Sequence, residues 1–202
     1  MVSYYPFCNI EGIIARLRML LFIAIICLLL PDFLAFADNL TPLREGSTVP
    51  LIQLPIPETS EERNYLGIEE EGFFTIPAIK ADVVIIYFFS FYCRFCAMQA
   101  GIVNDLYYVI DKDPDLKKKI KLIGIGIGNT PTEVDAFKDA NRIPFPLIPD
   151  TDFSVHKAYG EIRLPYCFVV TIKEQKVVHC EYAFHDVKNF LKLILKKSGL
   201  TE

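Results

Sequence analysis

The chain has 202 residues, 52% of them hydrophobic and 23% charged, with a formal net charge of −4. That length supports one ordinary domain with a substantial core plus a targeting segment, and an aromatic content of 13% excludes disorder. The acidic balance excludes a nucleic-acid surface, which needs a basic stripe, and six cysteines are too few for a disulfide-scaffold miniprotein.

Residues 1–37 read as an address. Arg16 and Arg18 precede the apolar run Met19 to Leu30, Pro31 breaks it, and Ala35-Phe36-Ala37 stands just before Asp38. A basic start, a short apolar run and an A-x-A site make a secretory signal peptide cleaved after Ala37. The alternative is an uncleaved anchor, but a span needs about 20 apolar residues, and lengthening this run would bury Asp32. Cleavage removes Cys8 and Cys27 and leaves Cys93, Cys96, Cys167 and Cys180. The expected destination is the periplasm or another extracytoplasmic, oxidising space, where disulfide chemistry is available.

Residues 38–80 are rich in Pro and Glu, with short edge strands expected at 49–54 and 72–76, since edges tolerate Pro. They form an N-terminal β extension to a domain spanning 81–198. Val83 to Phe89 is an unbroken β-prone run, as in a strand buried on both faces. Ala100, Val103, Leu106, Tyr107 and Ile110 lie at helical spacing, predicting a helix over 96–110 that Asp113-Pro114-Asp115 ends. A Lys-rich turn at 117–119 leads to a second buried strand over 121–127. Its Gly124, Gly126 and Gly128 lack the spacing of a nucleotide-binding loop and indicate close packing instead. A helix follows over 130–141, with Pro131 suited to its first turn, then a short strand at 144–148 and a short helix over 152–159. Two strands at 168–172 and 176–180 form a hairpin, and a last amphipathic helix spans 185–197. The order β-α-β-α-β-α-β-β-α gives an α/β fold, a mixed sheet with helices on both faces.

The chemistry centres on Cys93-Arg94-Phe95-Cys96, where a buried strand meets a helix. A helix N-terminus offers unpaired N–H groups and a positive dipole end that stabilise a thiolate, and Arg94 adds charge of the same sign. The thiolate is the nucleophile, so Cys93 attacks and Cys96 resolves the mixed disulfide. Two other readings stand beside this one. The pair is a permanent structural disulfide, or it is half of a zinc site, which needs about four ligands and finds only the weak His179-Cys180 as company. With a turn at Glu174-Gln175, Val169 pairs with Cys180 and Cys167 lies diagonal on the same face. Two free buried thiols are the expectation there, and a second redox pair is the alternative.

These residues carry a resemblance. C-x-x-C in a βαβ setting, Ser90-Phe91-Tyr92 before it, Phe145 to Asp150 with His156 to Gly160, and Leu164-Pro165 before the last hairpin resemble the thioredoxin-like redoxins. Within them the chain is similar to the extracytoplasmic thiol–disulfide oxidoreductases of the TlpA/ResA type, over roughly residues 46–198. The resemblance implies a thioredoxin-like fold, no cofactor and no metal, and a cis peptide bond before Pro165. It places Leu164, Pro165, Tyr92 and Arg94 against a substrate polypeptide, with the Leu164 loop pairing like a strand. Implied partners are protein thiols and disulfides, apocytochromes c among them, and a membrane or soluble thiol as electron donor. The direction implied is reduction.

The departures are specific. Tyr92 replaces the family's Trp, Arg94-Phe95 lacks its Pro, and Gly101 stands for the helix-kinking Pro. Thioredoxin's buried acid, six residues before the first cysteine, falls on Tyr87. The glycine-and-acid pattern of heme-maturation members is not matched in Gly160 to Tyr166. Peroxiredoxins share the fold, and Ser90-Phe91-Tyr92-Cys93 mimics their hydroxyl-x-x-Cys, but Ile86 occupies the place of their Pro. A thiol peroxidase and a non-catalytic docking module with a structural disulfide are the alternative functions.

Overall fold

A computed structural model describes residue 16 and residues 18–21, 41–69 and 71–200. The chain divides into two compact units, Met1–Asn39 and Leu40–Glu202. In the first, the described residues are helical and exposed. The rest of the expected signal segment, including Ala35 to Ala37, Cys8 and Cys27, lies outside the described residues. No helix among the described residues is long and apolar enough to cross a membrane.

In the second unit the elements run β1 (Leu54–Pro55), α1 (Ser60–Leu66), β2 (Phe73–Phe74), β3 (Val83–Phe89), α2 (Arg94–Lys112), α3 (Pro114–Lys119) and β4 (Ile120–Ile127). They continue with α4 (Pro131–Asn141), β5 (Leu147–Asp150), α5 (Ser154–Ala158), β6 (Tyr166–Thr171), β7 (Lys176–Tyr182) and α6 (Val187–Lys197). Five strands form one mixed sheet in the order β5-β4-β3-β6-β7, and β1 pairs with β2 as a separate small sheet. β3 runs parallel to β4 and antiparallel to β6. This is the expected thioredoxin-like α/β architecture with its N-terminal β extension.

Strand alternation splits the core into two layers. Ile85, Tyr87, Phe89, Leu122, Cys167 and Val169 face α2, α4 and α6, whose Cys96, Ala100, Val103, Leu106, Phe137 and Phe190 pack on them. Ile86, Phe88, Ile125, Phe168 and Val170 face the N-terminal extension and α5, meeting Leu54, Leu66, Ile76, Val155 and Tyr159. All seven residues of β3 are buried, and burying one such side chain stabilises the fold by about 1.5–3 kcal/mol. β3 therefore sits rigidly in the middle of the sheet, and the chain that leaves its end has a fixed origin. Gly126 explains the glycine spacing in β4, because a Cβ there would meet Val134 at 2.8 Å and Phe89 at 3.1 Å.

Several local expectations change. Of the first expected strand only Leu54 is strand, in β1, and Thr48 bridges to Lys176 instead. α1 was not expected; Thr59 caps its start and Gly67, at φ 68°, its end. The Lys-rich turn is the helix α3, because the Asp113 carboxylate that ends α2 also accepts the Asp115 and Leu116 amides and starts a new turn. The hairpin register is off by one from the expectation: Phe168, not Val169, stands opposite Cys180, and Cys167 opposite Glu181. The turn centres one residue earlier than expected, with Val170 opposite Val177, and a bulge that leaves Val178 as the extra residue then moves the pairing by one.

Candidate active site

The chain leaves β3 at Phe89, turns through Ser90 to Tyr92, and enters α2 with Cys93 as its N-cap. The Cys93 amide donates to the Ser90 carbonyl at 3.0 Å, closing that turn. Cys93 and Cys96 are disulfide-bonded, their Cα atoms 5.2 Å apart across the first helical turn. Cys93 Sγ also accepts the Cys96 amide at 3.2 Å, the position a serine or aspartate cap oxygen would take. The pair is asymmetric: Cys96 is 0% exposed, whereas Cys93 is half-buried. An incoming group therefore reaches Cys93 and not Cys96. The unpaired amides and dipole of α2 favour negative charge on that same sulfur.

The approach loop is braced from β4 and α4, and sequence reasoning missed both braces. Asn129, fully buried, accepts the Phe91 amide on Oδ1 at 2.8 Å and donates from Nδ2 to Ser90 Oγ at 3.4 Å. The Tyr92 hydroxyl donates to the Glu133 carboxylate, which lowers the Glu133 pKa and raises that of Tyr92. Glu133 also belongs to the Thr130 capping box of α4. The pattern Thr130-x-x-Glu133 was legible as a cap, but its reach to a tyrosine 41 residues earlier was not. From below, the Tyr87 hydroxyl donates to the Cys96 carbonyl at 2.8 Å.

The Leu164–Pro165 peptide bond is cis. Pro165 directly precedes β6, whose first residue Tyr166 pairs with Phe88. The proline is thus at the end of the sheet from which the chain runs to Cys93. Leu164 and Cys93 both pack against the same core layer. Tyr92 is 73% exposed, and Arg94 is exposed at the first helical position and makes no salt bridge among the described residues. Phe95 and Met98, both about two-thirds exposed, extend the apolar rim along α2.

Cys167 and Cys180 are both free. The one-residue shift puts them on opposite faces of the sheet, Cys167 in the layer of Cys96 and Cys180 against the other. The shared face is overturned, and with it the second redox pair. Burial pushes the Cys167 thiol well above the usual range. His179 turns its ring nitrogens to Glu45 at 2.9 Å and Glu181 at 3.1 Å, while the Cys180 thiol donates to the Leu43 carbonyl. Among the described residues no three His, Cys, Asp or Glu side chains converge as a metal site.

A sequence model of the AhpC/TSA family matches residues 53–180; the chain belongs to this family. It is 23% identical over 161 residues to the thiol–disulfide oxidoreductase ResA of Geobacillus thermodenitrificans (strain NG80-2), covering 79% of this chain and 83% of that one. A crystal structure of a candidate thiol:disulfide interchange protein DsbE from Chlorobium tepidum superposes with a TM-score of 0.60 at 18% identity. It covers 78% of this chain and 99% of the other. StoA from Bacillus subtilis superposes with a TM-score of 0.53 at 19% identity, over 73% of this chain and 98% of that one. The fold, and the placing among the thioredoxin-like redoxins, agree with the sequence reading.

Proposed function

We propose that this AhpC/TSA-family chain is an extracytoplasmic thiol–disulfide oxidoreductase that reduces disulfides in other proteins. One observation carries the reading: a bonded cysteine pair caps a helix with one sulfur reachable and the other buried. In the reduced form the Cys93 thiolate attacks a substrate disulfide, and one substrate sulfur departs as a thiolate. The Cys96 thiolate then attacks Cys93 Sγ, the mixed disulfide breaks, and the second substrate sulfur leaves. Two electrons pass to the substrate, each departing thiolate takes up a proton, and the Cys93–Cys96 bond forms. A thiol donor in the same compartment restores the dithiol. The ResA relative is named a thiol–disulfide oxidoreductase, and the reductase direction follows the family resemblance carried by the sequence.

Tyr92, Arg94, Leu164 and Pro165 form the substrate-facing rim. The proline contributes no N–H and Tyr166 is already paired within the sheet, so the Leu164 backbone is what is left to pair with an extended substrate segment. The N-terminal segment, residues 1–37, delivers the domain to the outside of the membrane.

The test is the Cys93/Cys96 reduction potential in a glutathione buffer, read by thiol quantification, alongside trapping with a Cys96→Ser variant. A potential near about −270 mV with accumulated mixed disulfides supports a reductase. A potential near about −120 mV makes the protein a disulfide donor instead. Consumption of hydrogen peroxide without exchange makes it a thiol peroxidase. No reversible couple and no trapped partner leave a docking module.

A further inference from the structure

We propose that Tyr87 is a positioning residue of the redox pair. Its hydroxyl, donating to the Cys96 carbonyl at 2.8 Å, ties the first turn of α2 to the central strand and aims the buried Cys96 sulfur at Cys93. The inference rests on the exchange reading above and assigns a residue to its second step. That step needs Cys96 Sγ nearly in line with the bond between Cys93 and the departing sulfur. Cys96 cannot be oriented by solvent or substrate, since it is fully buried. Its orientation comes from the helix that carries it.

A helix carbonyl has two lone pairs, one of which serves the helical ladder. Tyr87 takes the other in the first turn, where the backbone has fewest internal bonds. Tyr87 is itself immobile: it is buried, stacked on Phe89 with ring centroids 5.7 Å apart, and lies between Gly124 and Cys167 in the sheet. The bond is a donor contact and not a proton relay. Burial drives the phenol well above its ordinary pKa, so it keeps its proton. Asp150 is the buried carboxylate among the described residues, and it points to the amides of Val155 and His156 at the start of α5, across the sheet from Cys96. The Cys96 layer therefore offers a fixed hydrogen-bond donor and, among the described residues, no buried carboxylate.

The experiment uses reduced full-length protein with Cys8→Ser, Cys27→Ser and Cys180→Ser, mixed with one equivalent of 5,5′-dithiobis(2-nitrobenzoate). Attack by the Cys93 thiolate releases one coloured thiolate, and attack by the Cys96 thiolate on Cys93 Sγ releases the second, so the two steps appear as two phases. Tyr87→Phe is expected to slow the second phase about fivefold, as roughly 1 kcal/mol of a lost hydrogen bond would. The first phase, and the pH midpoint of the second, stay where they are. Unchanged phases overturn the proposal, and so does equal slowing of both, which means general loosening. A moved midpoint overturns it as well, by placing the phenol on the proton path. Should Tyr87→Phe not fold, the unaltered protein decides: an exchange-protected Tyr87 hydroxyl proton close to the Ala97 amide supports the contact, and its absence overturns it. If the unaltered protein shows no second phase, the exchange reading is what fails, and the hydroxyl signal still decides the contact.

Discussion

The second unit holds two cysteine pairs that are opposite in structure. Cys93 and Cys96 are three residues apart on one helical turn and bonded. Cys167 and Cys180 lie on neighbouring strands, and both stay free. One turn of helix returns two side chains to the same side; adjacent strands do so only if the register allows it. Had the Val170–Val177 register simply continued, Cys167 would stand opposite Cys180. The extra residue at Val178 instead sends Cys180 to the far face. Adjacency in the sheet brings sulfurs near; the face decides whether they can meet.

The sharpest break of this comparison is by nucleophile removal. Cys93→Ser should lower the rate of disulfide exchange by about a thousandfold or more, since a hydroxyl does not replace a thiolate. Cys167→Ser and Cys180→Ser should each leave it within about twofold, as followed by turnover of an aromatic disulfide. Next comes alkylation of the reduced protein by iodoacetamide near neutral pH, mapped by mass spectrometry. Cys93 should react first, Cys180 later, and Cys167 about a hundredfold or more slower than Cys93. Cys167 is inaccessible, and burial keeps its thiol protonated.

Smaller effects sharpen the difference between the two free thiols. Cys167→Ala should cost about 1–2 kcal/mol in urea unfolding, because it opens space in a packed layer. Cys180→Ala, at a half-buried site, should cost about half a kcal/mol or less. The remaining difference is in pH. The folded-state pKa of Cys167 is raised, so its contribution is whole below the unfolded-chain pKa of about 8.5 and is lost as pH rises above it. The expected loss approaches about 1.4 kcal/mol per pH unit between about 9 and 10. Cys167→Ala should flatten that slope, and an unchanged slope would show that Cys167 does not cause it.

What the sequence disclosed follows from where each signal resides. β3 and α2 were legible because a fully apolar run and a helical stripe are local patterns with one good packing solution each. The redox pair was legible because both residues lie within one turn. α3 was not, since none of its residues is buried and no apolar period exists to read. α1 hid in a segment whose Pro and Glu content suggested edges and turns. The hairpin register was missed because the turn centres one residue before Glu174-Gln175 and because a bulge answers to packing on both faces and leaves no mark in composition. Asn129, Glu133 and the hydroxyl of Tyr87 escaped for another reason. Their partners are 38, 41 and 9 residues away, so each role exists only once the elements have come together.

That Cys93 serves as the cap of α2 couples the stability of the helix start to the redox state of the pair. Oxidation and unfolding form a closed thermodynamic cycle, so the gap in folding free energy between the dithiol and disulfide forms equals the gap in disulfide stability between folded and unfolded chain. Each 1.4 kcal/mol by which folding favours the dithiol raises the potential by about 30 mV. A substitution at the start of this helix that improves the cap for a thiolate therefore retunes the couple without touching a sulfur. A pair of denaturation curves, one per redox form, gives the difference between the potentials of the folded and the unfolded chain.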